Sequence, residues 1–171
     1  VGVYINGDAN KFLHNTVHNA AASAFLAPGT TPEFAYNDVW STGALQSDGS
    51  VYQGTSATVE NSNIHHNYIH DTPKYALRFD APGGSPGQAG QYGKIHHNIA
   101  VRTNGIMVKG NHHYICYNTT FSSHKNGLII LSEDNSNDSS YIYNNFSEKM
   151  SAHRNNQLNI PGIASNNWNG Y

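Results

Sequence analysis

The stretch Ile64-His65-His66-Asn67-Tyr68-Ile69-His70-Asp71 decides the fold, because its first half recurs along the chain. An apolar residue, any residue, a ring and then Asn appear as Phe12-Leu13-His14-Asn15, Phe34-Ala35-Tyr36-Asn37, Ile64-His65-His66-Asn67 and Ile95-His96-His97-Asn98. Ile115-Cys116-Tyr117-Asn118, Tyr141-Ile142-Tyr143-Asn144 and Ile163-Ala164-Ser165-Asn166 continue the series. The Asn positions lie 22, 30, 31, 20, 26 and 22 residues apart, so the short spacings read as one minimal repeat and the long ones as that repeat plus an insertion. A unit that cannot bury its apolar face alone buries it by stacking on its neighbours, which makes the chain a solenoid. Asn in a tight turn of every coil lets the side-chain amides hydrogen-bond up the stack and tolerates a left-handed backbone there.

The rest of the composition agrees. The 171 residues make one domain, with 37% hydrophobic and 12% charged residues, 16 Gly, 11 His and 11 Tyr. Short β-rich runs between Gly, Asn, Asp and Ser replace any long helical stripe, so the chain reads as all-β. A net charge of -2 gives no footprint for nucleic acid. No apolar run approaches the roughly 20 residues of a membrane span. The single Cys116 excludes an internal disulfide. The chain starts at Val1, in a strand and without a capping helix, which reads as a trimmed or excised part of a longer solenoid, with further coils or domains as its partners.

On its Asn ladder, and on phrases such as Gly105-Ile106-Met107-Val108-Lys109-Gly110, the chain resembles the right-handed parallel β-helix proteins of the pectate-lyase-like superfamily. The resemblance implies a single domain over residues 1–171, a right-handed parallel β-helix of about seven coils with three strands each. It also implies a secreted or periplasmic protein that acts on polysaccharide. The fold hosts several activities, so function must be argued from a site.

Aligned by pattern, the first strands of the coils are Gly2–Gly7, Ser23–Ala27, Ala44–Gly49, Ala76–Ala81, Gly105–Gly110, Gly127–Ser132 and a seventh around Gln157–Ile160. Alternation turns Val3, Leu45, Leu77, Ile106 and Leu128 inward, with Ile5, Ser47, Phe79, Val108 and Ile130 as a second inward column. Tyr4, Phe25, Gln46, Arg78, Met107 and Ile129 then face outward, as do Asn6, Ala27, Asp48, Asp80, Lys109 and Leu131. A slip of one residue would bury Arg78, Asp80 and Lys109. In this register the scarce charges gather on three consecutive coils, beside insertions at residues 50–62 and 81–93 that would wall a groove for a polymer.

Two chemistries fit these residues. In β-elimination from a uronate glycan, the reaction the resemblance implies, Lys109 or Arg78 abstracts the proton beside the carboxylate. The other cation, or a Ca²⁺ held by Asp48 and Asp80, neutralises the carboxylate. Asp80 beside Lys109 counts against that lysine as base. In glycoside hydrolysis, Asp48 and Asp80 form the acid–base pair. Gln46, Tyr4, Asn6, Lys74 and His70 would bind substrate, His70 also standing as an accessory base. A different class of function, a non-catalytic glycan-binding or structural β-helix, stays open. His14, Tyr36, His66, His97, Tyr117 and Tyr143 read as an aromatic stack beside the Asn turn, and His65 and His96 as outward neighbours. His112-His113 lacks a third metal ligand. Cys116, in an outward column with Leu13, Ala35 and Ile142, reads as a packed thiol. The Asn-Xaa-Ser/Thr matches at Asn118, Asn137 and Asn145 read as incidental.

Overall fold

A computed structural model of the chain describes residues 2–26, 29–55, 59–80, 89–131, 136–152, 163–165 and 167–169. Short strands follow one another in threes. The first two sets are β1 (Val3–Tyr4), β2 (Lys11–Leu13) and β3 (Thr16–His18), then β4 (Phe25–Leu26), β5 (Glu33–Ala35) and β6 (Asp38–Trp40). Next come β7 (Ser50–Thr55), β8 (Asn63–His65) and β9 (Tyr68–His70), then β10 (Tyr75–Asp80), β11 (Lys94–His96) and β12 (Ile99–Val101). β13 (Ile106–Val108), β14 (Tyr114–Cys116) and β15 (Thr119–Phe121) precede β16 (Leu128–Ile130), β17 (Tyr141–Tyr143) and β18 (Phe146–Ser147). β19 (Met150–Ser151), β20 (Ile163–Ser165) and β21 (Trp168–Asn169) end the series.

Every strand pairs in parallel with the third strand before and after it. This gives three seven-stranded sheets, the first running β1-β4-β7-β10-β13-β16-β19. The protein is therefore an all-β parallel solenoid. In the second sheet the middle residues of β2, β5, β8, β11, β14 and β17 point inward: Phe12, Phe34, Ile64, Ile95, Ile115 and Ile142 are all buried. In the third sheet Val39, Ile69 and Ala100 do the same, and the polar pair Thr120–Ser147 is satisfied by a hydroxyl contact of 2.7 Å. Tyr52, Leu77, Ile106 and Leu128 line the core from the first sheet. Each such side chain contributes about 1.5–3 kcal/mol through burial.

The Asn ladder joins the second and third sheets. Side-chain amides link Asn15, Asn37, Asn67, Asn98, Asn118, Asn145 and Asn167 at 3.3, 2.9, 2.9, 3.0, 3.0 and 2.9 Å. Each Asn also takes up backbone groups. Asn67 donates to Phe34 O at 2.9 Å and accepts from Asn37 N at 3.0 Å. The last two steps differ from the sequence reading, which placed Asn144 and Asn166 in the ladder; Asn166 lies outside the described residues. The inward residue sets the register: Ile142 is fully buried and pairs with Ile115, so Tyr141 faces out and the ladder falls on Asn145. Ile142 therefore leaves the Cys116 column, where Tyr143 replaces it.

The left-handed backbone also sits one residue earlier than expected. His14, Tyr36, His66, His97, Tyr117 and Asn144 have φ between 53° and 57°. The ladder Asn must aim its amide inward from regular backbone, so the exposed residue before it takes the corner. The corner rings stack along the axis: His14–Tyr36, Tyr36–His66, His66–His97 and His97–Tyr117 lie 4.8, 5.0, 4.9 and 4.8 Å apart. Asn118, Asn137 and Asn145 are buried, as incidental glycosylation matches would be.

The first sheet departs most from expectation. Ala44–Gly49 is a turn, and the strand is Ser50–Thr55. Leu45, placed in the core by the sequence pattern, is 86% exposed, and Tyr52 takes its place opposite Leu77. Residues 50–55 are thus sheet rather than insertion. Gly49 ends the turn at φ 151°, a backbone conformation that favours glycine, and the Gln46 amide packs against the space a Cβ would take. Phe25 pairs with Val3 and Tyr52 rather than sharing the Tyr4 column. The seventh strand of the sheet is Met150–Ser151, while Gln157–Ile160 lies outside the described residues.

Candidate functional site

β10 presents Arg78 and Asp80 on the outer side of the first sheet, because Leu77 and Phe79 alternate inward. Lys109 follows β13, one strand along. Its Nζ lies 2.8 Å from Asp80 Oδ1. Asp48 arrives from the 44–49 turn rather than from a strand. Arg78 grips it with two prongs, Nη1 to Oδ1 at 2.5 Å and Nη2 to Oδ2 at 3.0 Å. Arg78 Nη2 also pairs with Asp80 Oδ2. Asp48, Arg78, Asp80 and Lys109 thus form one alternating chain of charge.

This chain is not the solvated groove wall that the sequence suggests. Arg78 and Asp80 are 7% and 8% exposed, whereas the Asp48 side chain is 76% exposed. Tyr75, Met107, Ile129 and Leu131 form a second buried apolar cluster, separate from the main core. Met107 and Ile129 share the outer register of Arg78. The Arg78 guanidinium lies 5.8 Å from the Tyr75 ring, and the exposed Lys125 ammonium 5.5 Å from it. Pairing makes this burial tolerable. Burial opposes the Arg78 charge, yet the hydrogen bond to Asp48 and the charges of Asp80 and Asp48 outweigh it and hold the guanidinium above its ordinary value. Arg78 Nε is buried without a hydrogen-bond acceptor among the described residues.

Arg78 is therefore held as a cation between two carboxylates, a state that suits binding an anion better than taking up a proton. A lysine that acts as base needs a free lone pair, and the Asp80 carboxylate 2.8 Å away is a partner for ammonium. Asp48 and Asp80 share one guanidinium, which does not suit a general acid that must hold its proton. Calcium fits poorly too. Both carboxylates already face cations, Ca²⁺ needs six to eight oxygens, and no group of three or more His, Cys, Asp or Glu side chains among the described residues is arranged for a metal.

The other candidates scatter. Gln46 packs over Gly49 and accepts from Ser23 Oγ at 3.2 Å. Tyr4 (64% exposed) and Asn6 lie near β1, three strands from Arg78, roughly 14 Å at the usual strand spacing. Lys74 Nζ reaches Ser47 O at 3.3 Å and so braces the turn that carries Asp48. His70 Nδ1 hydrogen-bonds Asp71 at 2.6 Å, and Nε2 lies 3.3 Å from Asp38 Oδ1, so the ring is held between two acids rather than aimed at Arg78. Arg102, and after it His70, hydrogen-bond Asp71 and keep its carboxyl well below the usual range. The same 44–49 turn helps to wall an open pocket of about 490 Å³, lined by Asn19, Ala20, Ser41, Leu45, Asp71 and Pro73 among others.

His112 stacks on Tyr92 at 5.0 Å. His113 is buried and neutral by design. Its Nδ1 accepts from Gly93 N–H at 3.0 Å and its Nε2 donates to Lys109 O at 2.9 Å, while burial pushes its pKa down to about 4. Burial likewise raises the Cys116 thiol, which suits packing rather than reactivity. Sequence reasoning missed Gln53, Thr55 and Tyr75. Gln53 and Thr55 pair with Arg78 and Asp80 in place of Gln46 and Asp48. The Ser47-Asp48-Gly49 triplet is a turn signal that points to this shift. Comparison of the chain with protein-family models, curated proteins and solved structures returned no match.

Proposed function

We propose that the chain is a right-handed parallel β-helix of about seven coils, secreted or periplasmic, whose first-sheet surface binds a uronate-containing polysaccharide. Parallel crossover connections are right-handed in nearly all proteins, which supports the hand. One observation carries the binding function: a buried guanidinium holds, in two-pronged fashion, a carboxylate that is itself 76% exposed. Asp48 stands where an incoming uronate carboxylate would stand. It leaves with its turn, and Arg78 then offers the same fork to the ligand.

Elimination is the second reading, favoured by Lys109 lying one strand away on the shared acid Asp80. It requires Asp80 to release the lysine. Hydrolysis by Asp48 and Asp80 requires Arg78 to release both acids. The test offers the protein uronate polysaccharides and their carboxyl-reduced, neutral forms, and follows binding, ultraviolet absorbance of unsaturated product and new reducing ends. Binding to the acidic form alone, without product, is the expected result. Unsaturated product would establish elimination, and reducing ends without it hydrolysis. Equal affinity for the neutral form would overturn the uronate reading.

A further inference from the structure

The phrase Ile64-His65-His66-Asn67 returns on the next coil as Ile95-His96-His97-Asn98, and β8 pairs with β11 so that His65 lies opposite His96. Four imidazoles result, in a two-by-two array. His65 stacks on His96 at 4.9 Å and 2°, and His66 on His97 at 4.9 Å and 3°. Within each coil the two rings are perpendicular, with Nδ1 to Nδ1 at 2.9 Å.

Such a contact holds one proton, because one Nδ1–H must donate and the other Nδ1 must be bare. The far nitrogens decide which. His65 Nε2 lies 3.1 Å from Glu33 Oε1, and His96 Nε2 lies 3.0 Å from Asn63 Oδ1. Both oxygens accept, so His65 and His96 carry their proton on Nε2 and accept at Nδ1 from His66 and His97. In the neutral array every one of these bonds is satisfied. A single added proton fits on the outer nitrogen of a corner ring with the bonds intact. A second proton costs either a contact between stacked cations at 4.9 Å or one of the Nδ1 bonds.

We propose that His65, His66, His96 and His97 form an acid-sensitive latch that ties two consecutive coils at the corner of the second and third sheets when neutral and releases them when more than one proton is taken up. The two halves are unequal. Glu33 on β5, itself held at 2.9 Å by Lys11 on β2, faces the lower pair. The upper pair faces the neutral Asn63 and has Lys94 on its own strand; Cys116 and Tyr117 lie above it, and Tyr36 lies below the lower pair. The lower pair therefore charges first. Burial, and then the neighbouring imidazoles, lower His66, and the same causes bring His96 down to about 4.

The test is an imidazole NMR titration of the full chain with amide hydrogen exchange, corrected for the intrinsic pH dependence. The expected result is that His65–His66 titrates before His96–His97, and that protection at Asn67 and Asn98 falls about tenfold as the upper pair charges. Independent titration at the ordinary imidazole value, with protection unchanged, would overturn the latch. The double substitution His96→Cys, His97→Tyr copies Cys116-Tyr117 of the following coil, so the column already accepts it. This variant is expected to keep its protection in acid. Loss at the same pH as the parent would place the sensitivity elsewhere, His113 first, and would also refute the proposal.

Discussion

The corner between the second and third sheets and the outer face of the first sheet both carry polar side chains in rows along the stack, and they satisfy them differently. At the corner, neutral amides repeat coil after coil, and each Asn donates to the next Asn and accepts from the one before. On the first sheet, charges of opposite sign come from a strand, a neighbouring strand end and a turn, and each satisfies a partner of a different kind. A neutral self-complementary residue can be repeated without limit. A charge cannot, because its own copy on the next coil repels it. The ladder is therefore a property of the repeat, and the ion chain a property of one place.

The contrast is testable, beginning with the substitutions of largest effect. Asn67→Ala strands Asn37 N–H in the interior and removes one donor from Phe34 O, and is expected to cost about 3 kcal/mol in denaturant unfolding. Arg78→Met removes the guanidinium that pairs the buried Asp80, with an expected loss of about 3 kcal/mol. A cost near zero for either would show that its row contributes little. Two substitutions sharpen the register. Tyr52→Ala opens a core cavity and is expected to cost about 3 kcal/mol, whereas Leu45→Ala on the exposed turn is expected to cost less than about 0.5 kcal/mol. The reverse order would restore Ala44–Gly49 as the strand.

Acid adds a further separation. His96 and His113 have folded-state values near 4, below the unfolded value of about 6.5, so the unfolded chain binds more protons between them. Their contribution is present above about pH 6.5 and is lost as pH falls toward 4, on the order of several kcal/mol in all. Urea midpoints across this range check it; a flat profile would contradict the neutral hydrogen-bonded states assigned to both rings. The smallest expected effect is that of Asp48→Ala, less than about 0.5 kcal/mol, because the acid is exposed and Arg78 keeps Asp80.

The two regions also differ in how far the sequence discloses them. The recurring ring-Asn pair identifies the ladder, its strands and its ring stack without help from the structure. It misleads only at Tyr141–Asn145 and again at Ile163–Asn167, where two successive Asn residues allow two registers and the buried Ile142 breaks the first tie. On the first sheet the pattern Ala-Leu-polar-Xaa-Asp of residues 44–48 imitates that of 76–80, and the imitation hid the strand that follows. Asp48 nonetheless reaches Arg78, from a turn whose path no alternation pattern encodes. Lys109 beside Asp80 was legible because both lie in true strand register. Their burial was not, since alternation assigns a face but says nothing about what covers it.

The claim that Arg78 is a carboxylate receptor occupied by Asp48 is tested most directly by titrating an oligouronate, and its carboxyl-reduced form, into the parent protein and Asp48→Ala. The variant is expected to bind the oligouronate several-fold more tightly than the parent, because the tethered competitor is gone, with no such gain for the neutral sugar. Unchanged affinity for the oligouronate, or an equal gain for both sugars, would contradict it.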